Sequence, residues 1–369
     1  MTQSVLILGG TGRIGSSVAQ DLLLNTQAKL TLSGRTGRSQ LDLAQRSPQR
    51  VQSIGLDLDN QAALRGAIAA HDLTIHCAGP FSYRDDRVLQ LCIALGKPYI
   101  DVADNPPYVR EALALRSQAS AAGVTAVVST GVFPGISNSM VRQGVEQLDQ
   151  ADEVKLSYVV AGSGGAGVTV MRTTFLELQH LFPAWVNGQW QEIEPYSQRE
   201  TVDFPAPYGR CGVYWFSTVE AMTLPQSFPL KTVITKFGSL PNFYNHLTWL
   251  MAHAVPKDWL RRPETVELLA KASYQMTQLS DRFSGTGIAM RADIAGQKDG
   301  QPTHYVSTLM QEDTAVAAGY GTGSVAQMML AGELDQPGVW PVEQALTTAQ
   351  FEQAMRQREI KITRSLTAS

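Results

Sequence analysis

Seven residues near the start of the chain, Gly9-Gly10-Thr11-Gly12-Arg13-Ile14-Gly15, directly follow the apolar run Val5-Leu6-Ile7-Leu8. Glycines at this spacing between a strand and a helix suit the pyrophosphate of a dinucleotide. Gly9 allows the tight turn, Gly12 lets backbone approach the phosphates, and Gly15 lets the helix pack closely on the sheet. Gly10 and Thr11 complete the loop, and Arg13 and Ile14 open a helix whose free N–H groups face the phosphates.

The next strand ends in Ser33-Gly34-Arg35, with Arg38 three residues on. A site selective for NAD usually has a carboxylate here for the ribose 2′-hydroxyl. A guanidinium instead suits a 2′-phosphate, so the expected cofactor is NADP(H) in preference to NAD(H). Asp57 is expected either at the adenine edge or as a helix N-cap. Ala78-Gly79-Pro80-Phe81 ends a later strand, where small residues allow backbone to lie against the ribose and nicotinamide.

Hydride transfer also needs a positioned acid or base. Tyr99 and Asp101 point to the same side of one strand, and Asp104 lies just beyond. Asp101 and Asp104 are acid/base candidates or caps of the helix that begins near Pro106. His76 is a further candidate or a satisfied core residue, and Tyr83 either donates a proton or shields the ring. For an anionic substrate, Gly165 lies in the loop Gly162-Ser163-Gly164-Gly165-Ala166-Gly167, and Arg172 in the following helix offers a carboxylate clamp. The stretch Phe237 to Met251 is the most aromatic, suited to an apolar pocket or to packing. His246 and His253 lack a third ligand, so no metal is expected.

Short β-rich runs alternate with helical ones up to Gly135, which predicts a doubly wound parallel sheet with helices on both faces. Beyond that point, longer β-patterned stretches and the turn Gln297-Lys298-Asp299-Gly300 predict an α+β region with a mostly antiparallel sheet. The last fifty or so residues are helical again. A length of 369 residues accommodates two such domains. With 30 Lys+Arg against 33 Asp+Glu there is no basic excess for a nucleic-acid backbone. No apolar run is long enough to span a membrane, no signal peptide is expected, and Cys77, Cys92 and Cys211 form no paired framework. A cytoplasmic protein is expected.

Together Gly9 to Gly15, Ser33-Gly34-Arg35, Ala78-Gly79-Pro80-Phe81 and Gly96-Lys97-Pro98-Tyr99-Ile100-Asp101-Val102 resemble the saccharopine dehydrogenase-like (saccharopine reductase) NADP-binding family. Gly321-Thr322-Gly323, Gly338-Val339-Trp340-Pro341-Val342-Glu343 and a final helix ending in Ile360-Lys361-Ile362 fit it too. The resemblance implies a Rossmann NADP-binding domain at 1–135, an inserted α+β substrate and dimerisation domain at 136–320, and a segment at 321–369 returning to the Rossmann domain. It implies a homodimeric oxidoreductase acting on a C=N, C=O or C=C bond of a small molecule. Alternatives are a non-catalytic NADP-binding redox sensor of the NmrA-like kind and a lipid or isoprenoid enoyl reductase. Catalytic short-chain dehydrogenases share the glycine opening but use Tyr-x-x-x-Lys, and no tyrosine here has a lysine four residues on.

Overall fold

The computed structural model describes residues 2–35, 43–164, 168–260 and 262–368. It divides into two compact units, Met1–Ile136 with Ala315–Arg358, and Ser137–Thr314 with Glu359–Ser369.

The first unit opens with six parallel strands, β1 (Ser4–Leu8), β2 (Lys29–Gly34), β3 (Val51–Gly55), β4 (Leu73–His76), β5 (Tyr99–Asp101) and β6 (Thr125–Val128). Val5, Leu6, Ile7 and Leu8 are fully buried, because helices cover both faces of a parallel sheet and every second residue meets apolar neighbours on either side. The crossover from β3 back to β4 puts β4 against the free side of β1. The strand order therefore reverses between β1 and β4, and the crevice beyond their carboxyl ends is where a doubly wound sheet binds its ligand.

The second unit carries β7 (Gln150–Ala161), the hairpin β8 (Phe182–Val186) and β9 (Gln189–Ile193), then β10 (Glu200–Phe204), β11 (Gly209–Trp215), β12 (Thr232–Leu240), β13 (Gly287–Lys298) and β14 (Gln301–Gln311). Apart from the parallel β7–β12 pair and the separate hairpin, these form antiparallel ladders in the order β10-β11-β12-β7-β13-β14. Asp299 and Gly300 turn the β13–β14 hairpin with φ of 52° and 72°, as its sequence predicts.

The chain then returns to the first unit through the helix Thr314–Ala331 and β15 (Gly338–Pro341), which pairs with β6 and completes a seven-stranded sheet. Arg116 holds β15 from the neighbouring helix, donating to the Val339 carbonyl at 2.9 Å and lying over the Trp340 ring. The helix runs through Gly319, Gly321 and Gly323, three residues of low helix propensity. Gly319 packs so closely on Ser17 of the first helix that an added Cβ would lie 2.8 Å from its backbone. Close approach outweighs low helix propensity here.

The last residues depart from the expected division. Glu359–Ser369 belongs to the second unit, where β16 (Ile362–Ala368) extends the sheet by pairing with β14. Most of β16 is exposed at the sheet edge, so it lacks the one-sided apolar pattern that would have marked it as a strand.

Candidate functional site

At the carboxyl end of β1 the chain turns through Gly9, whose φ is +73°. A Cβ on Gly9 would meet the backbone of Cys77 and Ala78 at 2.8 Å, so only glycine lets the β1 and β4 loops touch. Gly10 N–H donates to the Ile7 carbonyl and Gly12 N–H to the Gly9 carbonyl, closing the loop tightly. Thr11 N–H reaches the Ser33 carbonyl at 3.4 Å, which brings the end of β2 to the loop. The helix Arg13–Asn25 starts at Gly12 with no capping side chain and no acidic residue in its first turn. A helix start with no side-chain cap and no acidic first turn suits an anion, while Gly15 lies against Gly9 and Gly10 too closely for any side chain.

Gly34 closes β2, and Arg35 follows it with an exposed side chain that has no partner among the described residues. No carboxylate ends this strand. Arg38 lies outside the described residues. Asp57 is exposed and accepts from Asp59 N–H at 3.1 Å, a local turn; the N-cap of the helix Gln61–Ala69 is Asn60.

Beyond β4, Cys77 N–H pairs with the Leu8 carbonyl, and Ala78, Gly79 and Pro80 lead into the single turn Phe81–Tyr83. Phe81 is buried with its ring edge-on to His76 and Tyr108. Tyr83 is half exposed. The residue after it, Arg84, is not apparent as a site residue in the sequence. Its Nε donates to the Ala78 carbonyl at 2.9 Å, and its Nη nitrogens have no partner among the described residues.

Asp101 is the centre of a buried network. Its Oδ1 accepts from Ala103 N–H at 3.0 Å and Ser129 N–H at 2.8 Å, and its Oδ2 accepts from Tyr99 Oη at 3.0 Å. Tyr99 Oη also lies 2.9 Å from Tyr108 Oη and 3.2 Å from His76 Nδ1. A phenol has one proton, so when Asp101 is ionised Tyr99 donates to it and accepts from Tyr108 and from a His76 protonated on Nδ1. His76 Nε2 is then a buried lone pair, and that atom has no hydrogen-bond partner. Burial, with Arg84's charge second, pushes the His76 pKa down to about 3 and keeps the ring neutral. Burial pushes the Asp101 carboxyl up to about 6 against its hydrogen bonds.

Two of the acid/base candidates are buried. Asp101 has no exposed surface and accepts three hydrogen bonds from its own chain, so it holds the β5 and β6 ends together. In particular it holds Ser129 at φ of +61°, a conformation costly to a residue with a Cβ. His76 is likewise fully buried. Asp104 is half-buried just past β5, and Asn105, rather than either aspartate, caps the helix Pro106–Ala114. Ser129, Tyr108 and Arg84 gave no sequence signal, since nothing local marks a residue whose role depends on strands far apart in the chain.

In the second unit, Arg172 on the helix Val168–Glu177 already pairs with Glu267 at 2.6 Å, so its proposed clamp position is taken by an internal carboxylate. Gly165 lies outside the described residues. The aromatic stretch divides: Phe237 and Met251 pack on the cluster around Tyr196 and Tyr214, while Phe243, Trp249 and Leu250 are exposed. Among the described residues no group of three His, Cys, Asp or Glu side chains is arranged for a metal, and no helix is long and apolar enough to cross a membrane.

Residues 5–127 match the model of the saccharopine dehydrogenase NADP binding domain. Over 92% of its length, and 92% of the other's, the chain is 25% identical to carboxyaminopropylagmatine dehydrogenase of Synechocystis. Over 63% of its length it is 25% identical to carboxynorspermidine synthase of Vibrio cholerae, spanning 60% of that enzyme. The fold is that of the L-Glu-forming saccharopine dehydrogenase of Saccharomyces cerevisiae, which covers 99% of the chain at a TM-score of 0.72 and 15% identity. With a glycine loop at the point where the strand order reverses and a match to the saccharopine dehydrogenase NADP binding domain around it, the chain is similar to the saccharopine dehydrogenase-like oxidoreductases in its first unit and in its fold.

Proposed function

We propose that the protein is an NADP(H)-dependent oxidoreductase whose substrate is a carboxylated amine, formed by reducing a C=N bond or oxidised back to it. The observation that carries this reading is the glycine loop between β1 and the uncapped helix, with Arg35 rather than a carboxylate at the end of β2. The names of the relatives in Synechocystis and Vibrio cholerae, both carboxylated amines, support the substrate class.

Bound NADPH would supply the hydride to the carbon of the C=N bond, and a proton completes the nitrogen. Gly9, Gly10, Thr11, Gly12, Arg13, Ile14 and Gly15 would grip the pyrophosphate, and Arg35 the 2′-phosphate, which favours NADP(H) over NAD(H). Ala78, Gly79, Pro80 and Phe81 would carry the nicotinamide half. Of the acid candidates, Asp104 and Tyr83 retain exposed surface, which supports a role for one of them in exchanging the proton. A homodimer in the cytoplasm remains part of this reading, and sedimentation tests the dimer.

The test mixes the purified protein with NADP+ and carboxyaminopropylagmatine and follows NADPH absorbance, with NAD+ in parallel. Turnover with NADP+ in excess of NAD+ is expected. Tight NADPH binding without turnover on this or any imine substrate would make the protein a sensor and overturn the proposal.

A further inference from the structure

Arg84 sits on the loop that leaves β4, at the carboxyl edge of the sheet. The β1–β3 half of a doubly wound sheet takes the adenosine, and the half beginning at β4 takes the nicotinamide. Arg84 therefore stands on the side where the substrate must lie. Its bond to the Ala78 carbonyl uses one donor of five and fixes one edge of the guanidinium. The other nitrogens have no partner among the described residues.

The neighbouring charges do not account for it. Arg87 takes Asp85 at 2.7 Å and Asp59 at 2.9 Å, while Asp86 accepts from Gln90. Arg172, the other candidate for an anion, holds Glu267. His76 adds no positive charge, because it is buried and neutral. A half-buried guanidinium held on one edge and open on the other is pre-set for the two oxygens of a carboxylate. The pyrophosphate has the glycine loop and the helix N-terminus for its own donors.

We propose that Arg84 anchors a carboxylate of the substrate, holding it beside the nicotinamide half of the site; this deepens the oxidoreductase reading above and rests on it. The fixed Nε makes Ala78, a residue of the cofactor loop, the support that orients the anchor. Substrate and cofactor would then be positioned by one short segment, residues 78–84.

Calorimetry on the NADP+-loaded full chain, with carboxyaminopropylagmatine, the same compound without its carboxylate, and glutarate, tests the anchor. The wild type should bind the carboxylated compound about tenfold to hundredfold more tightly than the other. Arg84→Met should abolish that preference and the binding of glutarate, while NADP+ affinity and melting temperature stay unchanged. Arg84→Lys, a point charge without the fork, should fall between them. An unchanged preference in Arg84→Met overturns the anchor. So does a parallel loss of NADP+ affinity, which would place the anion on the cofactor. If the wild type ignores carboxyaminopropylagmatine, the substrate class proposed above fails, and the anchor is decided by glutarate. Glutarate binding that Arg84→Met removes supports it, and binding that is absent or unchanged overturns it.

Discussion

Replacing Arg358 with methionine should destabilise the first unit by about 4 kcal/mol at pH 7, and by progressively less as the pH falls toward 4. Arg358 closes the helix Thr348–Gln357, and both it and Asp21 of the helix Arg13–Asn25 have about 1% of their side chains exposed. Nε donates to Asp21 Oδ1 at 2.8 Å, and Nη2 donates to Asp21 Oδ2 at 2.6 Å and to Gln327 Oε1 at 3.0 Å. Without the guanidinium, Asn25 is the one polar side chain among the described residues that still bonds Asp21. Burial already pushes its pKa above 3.8 despite Arg358, so the variant's carboxyl escapes by taking up a proton. That protonation costs about 1.4 kcal/mol for each pH unit it is driven upward, which is why the loss grows with pH, and breaking a buried ion pair by removing one partner costs about 3–5 kcal/mol at neutral pH. The sign follows: a pKa raised in the folded state leaves stability intact below 3.8 and removes it as pH rises. Native-state hydrogen exchange of amides in the helix Arg13–Asn25 reads this unit without interference from the other. Asp21→Asn in the Arg358→Met background should restore most of the loss. A loss under about 1 kcal/mol at pH 7, or one that does not shrink toward pH 4, refutes the argument.

Arg35→Ala should weaken NADPH binding by about 1.5–3 kcal/mol and leave NADH unchanged, measured by fluorescence titration; equal effects on both would remove the 2′-phosphate assignment. Gly9→Ala forces a side chain to φ of +73° against Cys77 and Ala78, so NADPH binding should vanish and the melting temperature fall. Binding at wild-type strength would show that the β1 and β4 loops need not touch. His76→Gln should gain about 3 kcal/mol relative to the wild type between pH 7 and pH 4, because the wild type must keep a ring neutral whose folded pKa of about 3 lies below its ordinary 6.5. A pH-independent difference in urea midpoint would contradict a neutral buried histidine.

The nucleotide-binding half was legible because its signals are local. Val5 to Leu8 are apolar in a row since both faces are covered, and Gly9, Gly12 and Gly15 are read within seven residues of each other. Where contacts are distant, the sequence was silent. Asp101 looks like a free acid until Ser129, 28 residues on, is seen donating to it, and Arg172 looks like a free clamp until Glu267, 95 residues on, is seen holding it. Gly319, Gly321 and Gly323 fit surfaces at Ser17, Gly131 and Asp21 that lie in remote segments, so their place inside a helix has no local mark. Arg84 was passed over because arginine in a polar loop is common, and only its unmatched nitrogens set it apart.

The late arrival of β15 bears on how the protein is made. The sheet that begins at Ser4 is finished by Gly338–Pro341, with residues 137–314 of the other unit between. At about 5–20 residues per second, a ribosome spends roughly 10–40 s on that stretch while β6 has no partner on its outer side. An unpaired strand edge is a template for wrong pairing. Newly made chain should therefore be most prone to aggregate in the interval after β6 emerges and before the C-terminal helices and β15 arrive. Fragments ending near residue 314 should be captured by chaperones far more than the full chain.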